Sequence, residues 1–364
     1  MKTRHISHVL APVFLCVLLA PACMPAQDPA AEGTLSIVIP GDGDPATKGS
    51  EVTAYSYEKA VNRVQLLLFK EGVRCDYTAL EAGVSFPYTK NYPSLGAGSY
   101  QVYVVANGPD LRGVTSEDAL HATSIHLSDC GLTDATGFVM MGGAPVQITP
   151  GVTARVAVPM RRFAARVRVT SIRNGLPAGY ADNGAMTLKG IFLINALESW
   201  NLGGTGSPSG WVNLGGRTAG RQASTERSDY ICTAAQVPAS CRDQLFRTLS
   251  VAVARGATHS FDAACLYTFP NAVTLDRTGP TATPETGAPA RLVVLARVNG
   301  ADWWYPVTLL KEEHGLERNT TYDVSLVICA VGSSDPNEPV TEAQLQATVV
   351  PAGWGVGTDY TEPL

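Results

Sequence analysis

Cysteine and histidine are side chains from which a reaction is often built, and this 364-residue chain uses them sparingly, with eight Cys and six His. One cysteine sits in a setting that specifies chemistry. Lys2 and Arg4 open the chain with positive charge, Val9 to Ala20 follows as an apolar run, and Leu19-Ala20-Pro21-Ala22-Cys23 closes it. The run is too short to span a bilayer and has the size of a secretory h-region. Small residues ahead of a cysteine suit lipoprotein signal peptidase, which needs little bulk there and a thiol that is already acylated; Ala20 stands where Leu is usual. The expectation is a signal peptide over 1–22 and a lipid-modified (palmitate-bearing) Cys23. Two or three acyl chains there would hold the exported chain at a membrane. An ordinary signal peptide, with Cys23 incidental, is the alternative.

Other candidate groups point to less chemistry. Cys75, Cys130, Cys232, Cys241, Cys265 and Cys329 remain after the signal. An even number in an exported protein predicts disulfides, with fifteen possible pairings and the short Cys232–Cys241 loop as the first to test. None lies in a CxxC pair, and His121, His126, His259 and His314 do not fall at ligand spacing, so neither a metal nor a cofactor is expected. No Gly-x-Ser-x-Gly elbow, His-Glu-x-x-His helix or P-loop occurs, and Gly203-Gly204-Thr205-Gly206 lacks the spacing of a dinucleotide fingerprint. Asp42 with Asp44, and Asp335 with Asn337 and Glu338, fall short of the oxygen count of a Ca²⁺ loop. Glu312-Glu313 ahead of His314 reads as a polar turn. Trp303-Trp304-Tyr305 is a candidate sugar platform, although strand alternation would bury at least one Trp. Asn319-Thr320-Thr321 fits the glycosylation pattern, which a bacterial lipoprotein would leave unused. An enzyme is therefore not expected. The net charge of −5, more acidic once Lys2 and Arg4 are removed, argues against nucleic acid as a partner.

The elements that would position these groups are strands. Charged residues make up 16% of the chain, and short alternating segments between Gly, Pro and Thr turns indicate an all-β protein. Gly33 to Pro40 alternates Leu35, Ile37 and Ile39 with Thr34 and Ser36, a half-buried strand. Asn62 to Lys70 is apolar on both faces, as in the middle of a sandwich. Ser99–Asn107 puts Tyr100, Val102, Val104 and Ala106 on one face. Leu111 to Leu127 is the best helical candidate. In Val152–Met160, Val152, Ala154, Val156 and Val158 are expected inside, with Thr153 and Arg155 outside. Arg161-Arg162-Phe163 marks a boundary, consistent with two domains in about 340 mature residues. Beyond it, Ala165, Val167 and Val169 alternate with Arg166 and Arg168. Further strands are expected over Met186–Asn195, Cys265–Asn271, Arg291–Asn299, Trp303–Leu310 and Thr321–Ala330. Long loops are expected over Leu202–Gly220, with an exposed Trp211, and over Thr278–Pro289. A last strand carries Leu345, Ala347 and Val349, followed by Trp354.

In this order the segments resemble the fimbrillins of Bacteroidales, the FimA and Mfa families of type V pilins. The likeness rests on Cys23 followed by Leu35–Ile39, on Val64–Lys70, on Gly98–Asn107 and on Pro159-Met160-Arg161-Arg162-Phe163-Ala164-Ala165-Arg166-Val167. It continues through Leu266–Asn271, Trp304-Tyr305-Pro306-Val307, Gly315–Tyr322 with its Arg318-Asn319-Thr320-Thr321-Tyr322, and Val349–Trp354.

The resemblance implies two β-sandwich domains (transthyretin- or Ig-like, Greek-key) with long loops, over 23–160 and 161–364. It implies export to the outer membrane as a lipoprotein and proteolytic loss of the first strand, 33–40, at the cell surface. The groove left behind is then filled by an extended segment of another fimbrial subunit, with 345–364 as the candidate donor (Leu345, Ala347, Val349, Trp354). The family's protease cuts after an arginine in the loop following the first strand. Here Gly41–Asn62 holds Lys48 and Lys59 but no Arg, and the first is Arg63. The expected partners are other fimbrial subunits, the membrane through the lipid anchor, the processing protease and a host or bacterial surface receptor. The alternatives are an uncut anchor, a tip or accessory fimbrial protein, and, from another class, a surface glycan-binding lipoprotein using Trp303-Trp304-Tyr305.

Overall fold

A computed structural model describes residues 32–40, 55–80, 84–180, 184–204, 211–212, 231–271, 289–309 and 315–354. Cys23, Lys48, Asp42, Asp44, Glu312, Glu313, His314 and the last ten residues of the candidate donor lie outside them. The amino-terminal part contributes β1 (Glu32–Ile39), α1 (Ser56–Lys59), β2 (Val64–Lys70), β3 (Val73–Leu80), β4 (Tyr88–Gly96), β5 (Gly98–Ala106), α2 (Glu117–Ala122), β6 (Ser124–His126), β7 (Met140–Ile148), β8 (Thr153–Ala157) and β9 (Arg161–Arg162). The remainder contributes β10 (Ala165–Asn174), β11 (Met186–Ile194), β12 (Ala196–Leu197), β13 (Ser199–Asn201), β14 (Trp211–Val212), α3 (Arg242–Leu245), β15 (Phe246–Val253), β16 (Thr258–Thr268), β17 (Arg291–Val298), β18 (Ala301–Thr308), β19 (Thr320–Ile328) and β20 (Leu345–Gly353). The chain is all-β, as its composition indicates, and the helices among the described residues are short turns.

Among the described residues, the strands pair into two sandwiches. In the first, sheet β4-β1-β8 faces sheet β3-β2-β5-β7-β9. Between them lie Leu35, Ile37 and Ile39 from β1, Leu66 and Leu68 from β2, and Val102 and Val104 from β5. In the second, sheets β16-β10-β19-β20 and β15-β11-β17-β18 enclose a larger core. Leu67, Phe69, Tyr103 and Val105 point from the back of the first sandwich into that same core. β2, an inner strand of the five-stranded sheet, is thus buried on both faces, and that is why Leu66–Phe69 reads as an unbroken apolar run. Tyr322, Val324, Leu326 and Ile328 line one face of β19, as their period of two predicts.

Several local expectations yield to tertiary context. The helix expected over Leu111–Leu127 shrinks to α2. Its N-cap Ser116 accepts a hydrogen bond from Ala119 N at 3.2 Å, and the chain turns extended at Thr123 to pair β6 with β13. Val152 is 53% exposed rather than inside, because β8 begins one residue later and Val152 supplies its carbonyl to Thr34 N. Arg166, on the opposite face of β10 from Ala165, Val167 and Val169, is buried as well. Trp304 and Tyr305 are core residues: Trp304 Nε1 donates to Ile231 O at 2.8 Å and the Tyr305 hydroxyl to Ala330 O at 3.0 Å. With Trp303 only half-buried, this stretch is not an exposed aromatic platform.

The described cysteines form no disulfide. The expected Cys232–Cys241 bridge is not made, and the Cys241 thiol donates instead to Pro238 O. Cys265 is buried on β16, Cys130 is buried just after the turn Leu127–Asp129, and Cys75 lies exposed on β3. Burial pushes the Cys130 thiol up to about 12 and the Cys265 thiol up to about 11. Thiolate is the reactive form, and at pH 8 a value near 12 leaves about one molecule in ten thousand ionised. Iodoacetamide is therefore expected to alkylate Cys75 in the folded chain and to reach Cys130 only after denaturation. Peptide mass mapping with and without denaturant reads this directly.

Candidate functional site

β1 alternates because each residue in a strand flips the side chain to the opposite face. Leu35, Ile37 and Ile39 are no more than 1% exposed, while Thr34, Ser36 and Val38 on the other face are half-buried. Burying three such side chains is worth about 5–8 kcal/mol at about 2 kcal/mol each. Gly33 admits the strand to its place, since a Cβ there would lie 2.5 Å from Thr149 O.

β1 is the central strand of its sheet, not an edge. It runs antiparallel to β4, with Leu35 opposite Tyr92 and Ile37 opposite Lys90, and parallel to β8, with Leu35 beside Ala154 and Ile37 beside Val156. Taking it out would leave two rows of unpaired backbone groups facing each other across an apolar trough. A replacement strand must pair on both sides and present apolar residues at every second position.

β20 is an edge strand of the second sandwich, antiparallel to β19. Pro351, which cannot donate to a neighbour, is tolerated there for that reason. Of the candidate donor residues in and just after this strand, Leu345 and Trp354 are buried, Val349 is half-buried and Ala347 is exposed. Val350 is 53% exposed. β20 thus has an alternating apolar face that its own fold uses incompletely. Leu345, Ala347 and Val349 have the same spacing as Leu35, Ile37 and Ile39.

Trp354, just beyond β20, enters a buried polar cluster that the sequence did not disclose. Its Nε1 donates to Glu58 Oε2 at 3.2 Å, its N donates to Asn319 O at 3.0 Å, and its carbonyl accepts from Arg162 Nη1 at 3.2 Å. The guanidiniums of Arg162 and Arg166 lie 4.8 and 5.1 Å from its ring, and Tyr267 stacks on it at 5.6 Å. Glu58 is the hub. Its carboxylate pairs with Arg166 Nη1 at 2.6 Å and accepts the Tyr267 hydroxyl at 2.7 Å. Its carbonyl accepts Arg162 Nε at 2.9 Å and Nη2 at 2.6 Å. Burial, followed by the Glu58 charge, raises the Tyr267 hydroxyl far above its ordinary value. Nearby, burial lowers Arg318 to about 10, where its guanidinium donates to Arg161, Arg162 and Met141 carbonyls. Asn319 takes a left-handed conformation (φ 54°) and accepts Arg162 N, so it serves as a turn residue. A signal for this cluster existed only in the density of Arg at 161, 162 and 166; nothing local marked Glu58 as their partner.

The candidate processing residues differ in access. Lys59 is exposed at the end of α1. Arg63 is half-buried, pairs with Asp110 at 3.1 Å and gives its carbonyl to Asn107 N. His121 meets the Tyr103 hydroxyl at 3.0 Å, and Asp335 caps its own turn by accepting Asn337 N at 2.7 Å.

Residues 33–155 match the family model described as major fimbrial subunit protein (FimA). The chain is 27% identical over 234 residues to the major fimbrium subunit FimC of Porphyromonas gingivalis, covering 58% of this chain and 49% of that one. It therefore spans about half the length of the curated relatives it matches. Among solved structures, a candidate cell adhesion protein of Bacteroides eggerthii superposes with a TM-score of 0.60 at 21% identity, covering 90% of this chain and 97% of that one. A fimbrilin (FimA) of P. gingivalis superposes with a TM-score of 0.54 at 15% identity, covering 90% and 98%. The tip fimbrial protein Mfa3 of the same organism gives 0.51 at 12% identity, covering 88% and 100%. The chain thus has the fold of the Bacteroidales fimbrillins and, over residues 33–155, matches the sequence model of their major subunit.

Proposed function

We propose that the chain is a structural subunit of a cell-surface fimbria that supports adhesion, exported as a lipoprotein through Cys23. It polymerises by donor-strand exchange after its first strand is removed, and it performs no catalysis. The observation that carries this reading is the place of β1: an apolar strand at the centre of a three-stranded sheet, with Lys48 following it in the sequence. Its two domains would divide near residue 160, so that the groove lies in one and the donor in the other. The donor is the segment 345–364. Its stretch Leu345–Val350 precedes Pro351 and can supply backbone donors along its length. The partners are further fimbrial subunits, the processing protease, the outer membrane through the lipid, and a surface receptor.

An uncut subunit would keep β1 and sit at the base of the fimbria as an anchor. The absence of Arg in Gly41–Asn62 favours this second reading. N-terminal sequencing of the protein recovered from the cell surface decides between them. A start between Thr47 and Val64 is expected for a polymerising subunit, and a blocked, lipid-bearing Cys23 for an anchor. A start elsewhere upstream of β1 with no lipid would remove both.

A further inference from the structure

We infer that Glu58 is a latch on the carboxy-terminal strand, and that the position of the cut after β1 decides whether the latch opens. This rests on the reading that β20 is the donor. α1 is the next described element after β1, and its Glu58 is fully buried although Lys59 beside it is exposed. From that position one residue reaches four others. The carboxylate takes Arg166, the Tyr267 hydroxyl and Trp354 Nε1, and the carbonyl takes Arg162, which in turn holds the Trp354 carbonyl.

A donor strand must leave its own fold before it enters another. Along β20 little besides Leu345 is buried, so the ladder to β19 and the Trp354 cluster hold it shut. Glu58 supplies the negative charge that Arg166 faces there. Without it, two buried guanidiniums would lie about 5 Å from one indole with that carboxylate gone.

The candidate cleavage residues fall on both sides of this hub. Hydrolysis after Lys48 leaves Glu58 joined to β2, so the groove opens while the latch still slows the release of the donor. Hydrolysis after Lys59 or Arg63 places Glu58 on the same released piece as β1. The groove is then vacated and the donor of the same subunit freed together.

Hydrogen–deuterium exchange on the full chain tests the latch. In Glu58→Ala, the amides of Leu345–Gly353 are expected to exchange at least about tenfold faster while those of Arg291–Val298 are unchanged, with Glu58→Gln in between. No change in β20, or an equal change in both segments, overturns the proposal. Should Glu58→Ala fail to fold, Trp354→Phe keeps the ring and loses the indole donor, and the same local acceleration is required of it. Full chains carrying an inserted protease site after Lys48 or after Lys59 then complete the test. Acceleration of β20 exchange by the later cut alone supports the latch, and equal acceleration by both overturns it. Polymerisation of a chain lacking 345–364 would sink the donor reading separately, without touching the exchange result.

Discussion

Excising residues 1–40 is expected to convert a stable monomer into a chain that assembles. Leu35, Ile37 and Ile39 are at most 1% exposed, and losing them forfeits about 5–8 kcal/mol of apolar burial. A domain is stable by only about 5–15 kcal/mol in all, so the opened chain would be marginal until its groove is filled. At 1.4 kcal/mol per factor of ten, the same burial favours a filled over an empty groove by about four to six orders of magnitude. β4 and β8 both lose their partner, which restricts the occupant to an extended segment. Size-exclusion chromatography and urea unfolding should show polymers, or a destabilised monomer at low concentration. A synthetic peptide spanning Gly33–Pro40 should restore the monomer's stability and block assembly. An excised chain that stays monomeric, with unchanged stability and no affinity for the peptide, would show that β1 is not exchangeable.

The second large effect separates folding from assembly in one residue. Ala347 is exposed in β20, so Ala347→Asp should change the unfolding free energy of the intact monomer by no more than about 0.5 kcal/mol. In a neighbour's groove the same position would correspond to Ile37, which is 0% exposed. A carboxylate there would be taken out of water without a partner, at a cost of several kcal/mol. The expected result is a normal monomer whose polymerisation, once excised, slows by more than about a hundredfold. Val349→Asp should act in the same direction with a somewhat larger effect on the monomer, since Val349 is half-buried. Normal polymers from Ala347→Asp would mean that the donor lies elsewhere or that β20 inserts with its other face, a distinction that Val350→Asp would make.

Features of β20 also limit pairing at its open edge. β20 is an edge strand with an exposed Val350 and an incompletely used apolar face, the kind of surface that invites pairing. Pro351 interrupts its hydrogen-bonding potential, and Trp354 pins its end beneath Arg162 and Arg166.

Much of this protein was open to reading from residue order alone, because strand faces are local. The period of two placed Leu35, Ile37 and Ile39 inside, and Tyr322, Val324, Leu326 and Ile328 with them. The unbroken apolar run of β2 disclosed a strand covered on both faces. What residue order could not supply was long-range pairing. That β1 lies between β4 and β8, rather than on an edge, depends on partners 49 to 64 positions away in β4 and 119 positions away in β8. Arg166 alternates like a solvent-facing residue and is buried where Glu58, 108 positions upstream, Thr321 and Trp354 are brought beside it. Trp303-Trp304-Tyr305 has the composition of a binding surface and is mostly core, since a strand's pattern does not say which of its faces another sheet will cover. Alternation is set by the pleat of each strand, whereas neighbours are chosen by closing the whole chain upon itself, and only the tertiary structure records that choice.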